Sequence, residues 1–126
     1  MATALELTPE EMDGYRAAAR RRAEQEHQQL AIREKRAWEL ARRAATLLRE
    51  QFGATQVVVF GSLVHEGCFT PWSDVDVAAW GIRPADTFQA IGAVLDVDPE
   101  IKVNLVDVQA CASSLLAIIE TEGVAI

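Results

Sequence analysis

Two aspartates two positions apart, Asp74 and Asp76, are the residues of this 126-residue sequence best placed to do chemistry. They sit in Ser73-Asp-Val-Asp-Val-Ala-Ala-Trp80, an otherwise apolar run that reads as a strand. Side chains alternate along a strand, so both carboxylates face one way while Val75 and Val77 face the other. Two co-facing acids beside a buried run need a compensating positive charge. Hard oxygen donors of this kind suit a divalent cation and the phosphates it carries. Separated from Asp74 by eleven residues, Gly61-Ser62 closes the apolar run Gln56-Val-Val-Val-Phe60. Backbone amides converging at such a turn form a cradle for an anion. Each motif alone has an ordinary explanation, since Gly-Ser is a common turn and surface strands often carry acids. The order strand, Gly-Ser, loop, Asp-x-Asp strand is what raises the pair above the ordinary.

The elements that must position these residues can be read around them. Thr8-Pro9-Glu10-Glu11 is a helix start, with Thr as N-cap and Pro at the first helical position. The Pro-free stretch from there to about Gln51 is rich in helix formers and spans about 60 Å as a helix. A helix that long must bend, break or project. Residues 20–36 are polar all round, which suits solvent or a partner; Met12, Tyr15, Ala19 and Leu30 could seal a partner helix. Trp38, Ala41, Ala45 and Leu48 form an apolar stripe that should pack on a core. Gly53 ends the helix. Gln56–Phe60 and Asp74–Trp80 are strands, with a short helix over Ser62–His65 and a turn-rich loop from Glu66 to Ser73. A helix over Pro84–Leu95 carries Phe88, Ile91 and Leu95 on one side. Ile101–Val108 is a third strand. Ser113 or Ser114 caps a last helix to about Glu120 that buries Leu115, Leu116, Ile118 and Ile119. The pattern implies an α/β domain with a small sheet covered by helices.

Charge narrows the partners. The net charge of −7 is split into +1 over residues 1–52 and −8 over residues 53–126. An acidic second half argues against duplex nucleic acid, whose affinity rests on phosphate neutralisation. It leaves room for a nucleotide that arrives with its own metal. Apolar runs fall short of a membrane span, no signal peptide is expected at the N-terminus, and Cys68 and Cys111 lack metal-like spacing. A cytoplasmic protein without membrane contact is the expectation.

Gly61-Ser62 through Ser73-Asp74-Val75-Asp76-Val77 resembles the minimal nucleotidyltransferases of the DNA polymerase β superfamily. These are small proteins commonly paired with a helical toxin carrying the HEPN domain. The resemblance extends through Lys102–Asp107 to Ile126 and covers about residues 55–126. It implies a polymerase β-like nucleotidyltransferase fold with a small mixed sheet over residues 53–126; the helical arm over residues 1–52 lies outside it. It also implies transfer of AMP from ATP–magnesium to a hydroxyl, a tyrosine of the partner toxin, which makes the enzyme an antitoxin. By the same resemblance Gly61, Ser62 and Ser73 bind the nucleotide, and Asp74 and Asp76 hold magnesium and are catalytic.

One position departs from the family pattern. Asn104 stands where a third carboxylate is usual, on the next strand. An amide offers a neutral oxygen but neither charge nor a base. Asp107 is an odd number of residues away and faces the opposite side, while Asp98 lies in the preceding turn. Loss of a general base weakens catalysis by about 10²–10⁴-fold, while nucleotide binding can survive on Asp74, Asp76 and the turn. Two alternatives therefore stand beside the enzyme: a nucleotide-binding antitoxin that neutralises by contact, and a small-molecule nucleotidyltransferase. Self-association through the N-terminal helix is a further option. Lys102, Arg83, His65 and Glu66 read as surface residues before they read as phosphate contacts, and Trp72 as packing for its loop before a base-stacking platform.

Overall fold

The computed structural model describes residues 7–126, so the expectation about the first residues lies outside it. Helix α1 runs unbroken over Pro9–Phe52. Its start is capped as the sequence implies, the Thr8 hydroxyl accepting from the Glu11 amide at 3.1 Å. The chain divides into two compact units, one ending at Ile32 and one spanning Arg33–Ile126. In the first, nearly every described side chain is solvated; Tyr15 and Ile32 are exposed, and Met12 and Leu30 half-buried. In the second, Ala37, Leu40, Ala41, Ala44, Ala45 and Leu48 of α1 are buried. The unit that carries the sheet thus takes in residues 33–52 as well as 53–126.

Three longer strands, β1 (Gln56–Phe60), β2 (Val75–Trp80) and β3 (Val103–Asp107), and the short β4 (Val124–Ala125) form one sheet in the order β3-β2-β1-β4. β1 pairs antiparallel with β2 and with β4, whereas β2 and β3 are parallel. The parallel pair needs a crossover, which α2 (Thr87–Leu95) supplies. A single 3₁₀ turn over Pro84–Asp86 precedes α2, so the regular helix begins later than Pro84. Val58, Phe60 and Ala78 form a core under Ile119 of α3 (Ser113–Glu122). The alternate residues Val57, Val59, Val75, Val77 and Ala79 are also buried. Strand alternation puts them on the other face, where Thr87 of α2 bonds to Asp107 of β3 at 2.8 Å.

Three expectations need correction, and one strand goes beyond them. The helix after β2 buries Ala90 and Val94, whereas Phe88 is 88% and Leu95 41% exposed. The smaller residues let α2 lie close to the sheet, and the larger ones are turned outward. In α3 only Ile119 is buried; Leu115 and Leu116 are partly covered and Ile118 is exposed. No serine caps that helix, whose N-cap is Ala112. β4 has no forecast in the sequence. It forms because Gly123, whose added Cβ would collide with the Val58 side chain and the Ile119 carbonyl, lets the chain approach β1.

Asp98 organises the entry to β3. Its carboxylate accepts from the Ile101 amide at 2.9 Å, the Glu100 amide at 3.0 Å and the Arg36 guanidinium at 3.0 Å. The Ile101 amide above all, and then Arg36 and the Glu100 amide, hold its carboxyl below the ordinary range. An acid depressed in the folded state stabilises above its unfolded pKa, and that stability is lost as pH falls through the folded value. Asp98→Asn is therefore expected to lower the unfolding free energy by about 1–2 kcal/mol at neutral pH. Urea denaturation across pH should show the gap to wild type closing as pH falls below about 4.

Candidate functional site

β1 delivers Phe60 to the end of the sheet, and Gly61, at φ +80°, turns the chain into a 3₁₀ turn over Gly61–Val64. A Cβ on Gly61 would lie 2.7 Å from Asp76 Oδ2. The carboxylate of Asp76 therefore rests on the backbone of the turn, a position no other residue type would leave open. The strand register puts Phe60, Asp76 and Asn104 in one row across β1, β2 and β3. Asn104 Nδ2 donates to Asp74 Oδ2 at 3.3 Å and to Asp76 Oδ1 at 3.4 Å. The three side chains thus converge, although Asp74 immediately precedes β2 rather than opening it as the sequence suggests.

The electrostatics of this cluster favour a cation. Burial raises the Asp76 carboxyl above its ordinary range and the neighbouring Asp74 charge adds to the rise, while the Asn104 hydrogen bond opposes it. The Asn104 amide supplies only a dipole where the two carboxylates ask for charge. Among the described residues no cluster of three or more His, Cys, Asp or Glu could hold a metal. The oxygen donors here are two carboxylates and, with the Asn104 amide rotated, its carbonyl. That donor set fits one hard divalent cation.

The remaining candidates distribute around this centre. Ser62 is half-buried in the 3₁₀ turn. Ser73 has its hydroxyl engaged with the Thr70 amide and hydroxyl, each at 2.9 Å, and its carbonyl accepts from Arg33 Nη2 at 3.1 Å. Asp107 faces away, as its parity requires, and accepts from Thr87 and the Gln109 amide. Asp98 is committed to its own turn and to Arg36. Arg83 pairs with Asp86 at 3.1 Å and His65 lies 3.5 Å from Glu122. Glu66 and Lys102 are exposed, as is Cys68, and Cys111 is partly buried. Trp72 does not pack its loop: it is 86% exposed, while its amide donates to Thr70 Oγ1 at 3.2 Å.

Arg33 and Arg36 were not among the residues singled out from the sequence, yet both reach the segments that carry the site. A signal exists: Arg33 stands one turn before Ala37 on the stripe that continues through Leu40, Ala41, Ala44 and Leu48. An arginine on a core stripe must find polar partners there.

No protein-family model and no curated protein matches the sequence. Solved structures do match. A chain of a crystal structure of a mutant of the toxin–antitoxin MntA–HpeT superposes with a TM-score of 0.55 at 21% identity, covering 68% of this chain and 69% of that one. A second MntA–HpeT mutant, in which two aspartates two positions apart are changed to glutamate, gives 0.56 at 18% identity over 68% and 70%. The shared fold, a small four-stranded mixed sheet covered by helices, is polymerase β-like. Among the described residues no helix is long and apolar enough to cross a membrane.

Gly61 offers a test of the close approach. Gly53 has a similar φ of +69° but open space around a Cβ, whereas Gly61 would press on Asp76. Both alanine variants incur the left-handed strain of about 1–2 kcal/mol. Gly61→Ala is expected to lose more in urea denaturation and to shift the Asn104 side-chain amide signals in NMR spectra, which Gly53→Ala leaves in place.

Proposed function

We propose that this protein is an antitoxin-type nucleotidyltransferase that binds ATP with magnesium and transfers AMP to a hydroxyl, a tyrosine, of a HEPN-domain toxin. The observation that carries the reading is the convergence of Asp74, Asp76 and Asn104 beside the Gly61 turn. The fold shared with chains of a toxin–antitoxin pair supports it.

In this reading Asp74 and Asp76 hold the magnesium ion, with the Asn104 carbonyl as an auxiliary ligand. The ion would neutralise phosphate charge and polarise the phosphorus under attack. In the same reading the Gly61 and Ser62 amides bind the triphosphate at the turn beside the cation. Ser73 contributes by fixing the backbone ahead of Asp74 rather than through its hydroxyl, which Thr70 occupies. The raised carboxyl of Asp76 falls back when a cation adjoins it, so cation binding releases the strain of burying that charge. Asn104 cannot accept the proton of the attacking hydroxyl, which makes turnover slow relative to binding.

A second reading has its own observation. With an amide in place of a third acid, the site is built to hold nucleotide better than to use it, which fits an antitoxin that works by complex formation. Mass spectrometry of the purified pair with ATP and magnesium separates the two. The enzyme reading expects adenylylated partner with wild type, lost on Asp74→Asn, and an Asn104→Asp variant faster by about 10²-fold or more. No transfer by either wild type or Asn104→Asp contradicts it.

A further inference from the structure

The backbone on both sides of Asp74 is pinned, and the pins lead back to one turn of α1. On the upstream side, the Ser73 carbonyl accepts from Arg33 Nη2 at 3.1 Å. The same guanidinium lies 5.9 Å from the ring centre of Phe69, which is buried and anchors the start of the loop. Between them, Thr70 and Ser73 cross-brace the turn through the Thr70 amide, both hydroxyls and the Ser73 amide. On the downstream side, the Val75 amide donates to the Lys102 carbonyl at 2.9 Å. Lys102 follows Ile101, whose amide is held by Asp98, and Asp98 is held by Arg36. Arg33 and Arg36 are one helical turn apart. The connections close into a ring: Arg33, Ser73, Asp74, Val75, Lys102, Ile101, Asp98, Arg36 and back along the helix.

We propose that Arg33 and Arg36 are positioning residues for the Asp74–Asp76–Asn104 cluster. Arg33 fixes the loop that presents Asp74. Arg36, through Asp98, fixes the turn that sets β3 and with it Asn104, two residues beyond Lys102. Both arginines lie upstream of the stretch that resembles the nucleotidyltransferases, so α1 is part of the site's framework and not an appendage to it. Arginine suits both contacts, since its forked guanidinium can set its charge over the Phe69 ring while one nitrogen donates to the Ser73 carbonyl. A lysine has a single terminal nitrogen with which to serve both. The function of the positioning rests on the nucleotide-binding reading above; the positioning itself does not.

The test uses the full chain as wild type, Arg33→Gln, Arg33→Lys, the double variant Arg33→Gln/Arg36→Gln, and a control, Arg49→Gln. Arg49 also belongs to α1, but its guanidinium contacts the Ile126 carbonyl. Amide hydrogen exchange is read at Val75 and Ile101, and magnesium-dependent ATP affinity by calorimetry. The double variant should lose protection at both amides, with Arg49→Gln unchanged there whatever it loses in melting temperature. Arg33→Gln should weaken magnesium-dependent binding about 10-fold or more, as removal of groups that orient metal ligands does, with Arg33→Lys intermediate. Unchanged exchange at Val75 and Ile101 in the double variant overturns the proposal. So does wild-type affinity in that variant. If wild type itself binds no ATP, the functional reading falls, and the exchange result still decides the positioning.

Discussion

A half-buried carboxylate laid on bare backbone is the constraint around which this structure is arranged. Asp76 sits in the middle strand of the three that meet at the site, and burial makes its charge costly. Its neighbours divide between tolerating that charge and adding to it. Gly61 gives way sterically, Asn104 donates one proton, and Asp74 brings a second negative charge. A protein does not gain stability by placing two acids together with one amide between them; an adjacent positive charge would relieve that cost. The rest of the core supplies rigidity to it. Val75 and Val77 bury the opposite face of the same strand, so Asp76 cannot turn away without moving the sheet.

Helix α1 joins two physical regimes in one element. Up to Ile32 nearly all of its described residues are solvated. From Arg33 onward it supplies the alanine and leucine stripe that buries against the sheet-bearing unit, and two arginines that grip the loops flanking the site. Alanines at Ala37, Ala41, Ala44 and Ala45 let the helix axis approach closely, which is what brings Arg33 and Arg36 within reach of Ser73 and Asp98.

The strands β1 and β2, the Gly-Ser turn and the convergence of Asp74 with Asp76 were legible because each rests on local geometry: strand alternation, a small-residue turn, an apolar run. The parity argument for Asp107 held for the same reason, and the structure accounts for its charge with Thr87 and the Gln109 amide. What was not legible depends on distant packing. Nothing local says that α2 turns Phe88 outward, that Trp72 stays in solvent on a braced turn, or that two residues after Gly123 join the sheet. The apolar stripe marks Arg33 as needing a polar partner, but which groups Arg33 and Arg36 reach is not legible, because a hydrogen bond across 40 or 62 residues leaves no mark on spacing.

Gly61, Asp74, Asp76 and Asn104 are the proposed meeting point of nucleotide and metal. Paramagnetic broadening of amide signals by manganese–ATP reads that location directly, since manganese takes the same oxygen ligands as magnesium. Broadening centred on Gly61, Ser62, Asp74–Asp76 and Asn104, and removed by Asp74→Asn/Asp76→Asn, is the expected result. Broadening centred elsewhere, or none at saturating manganese–ATP, would contradict the account.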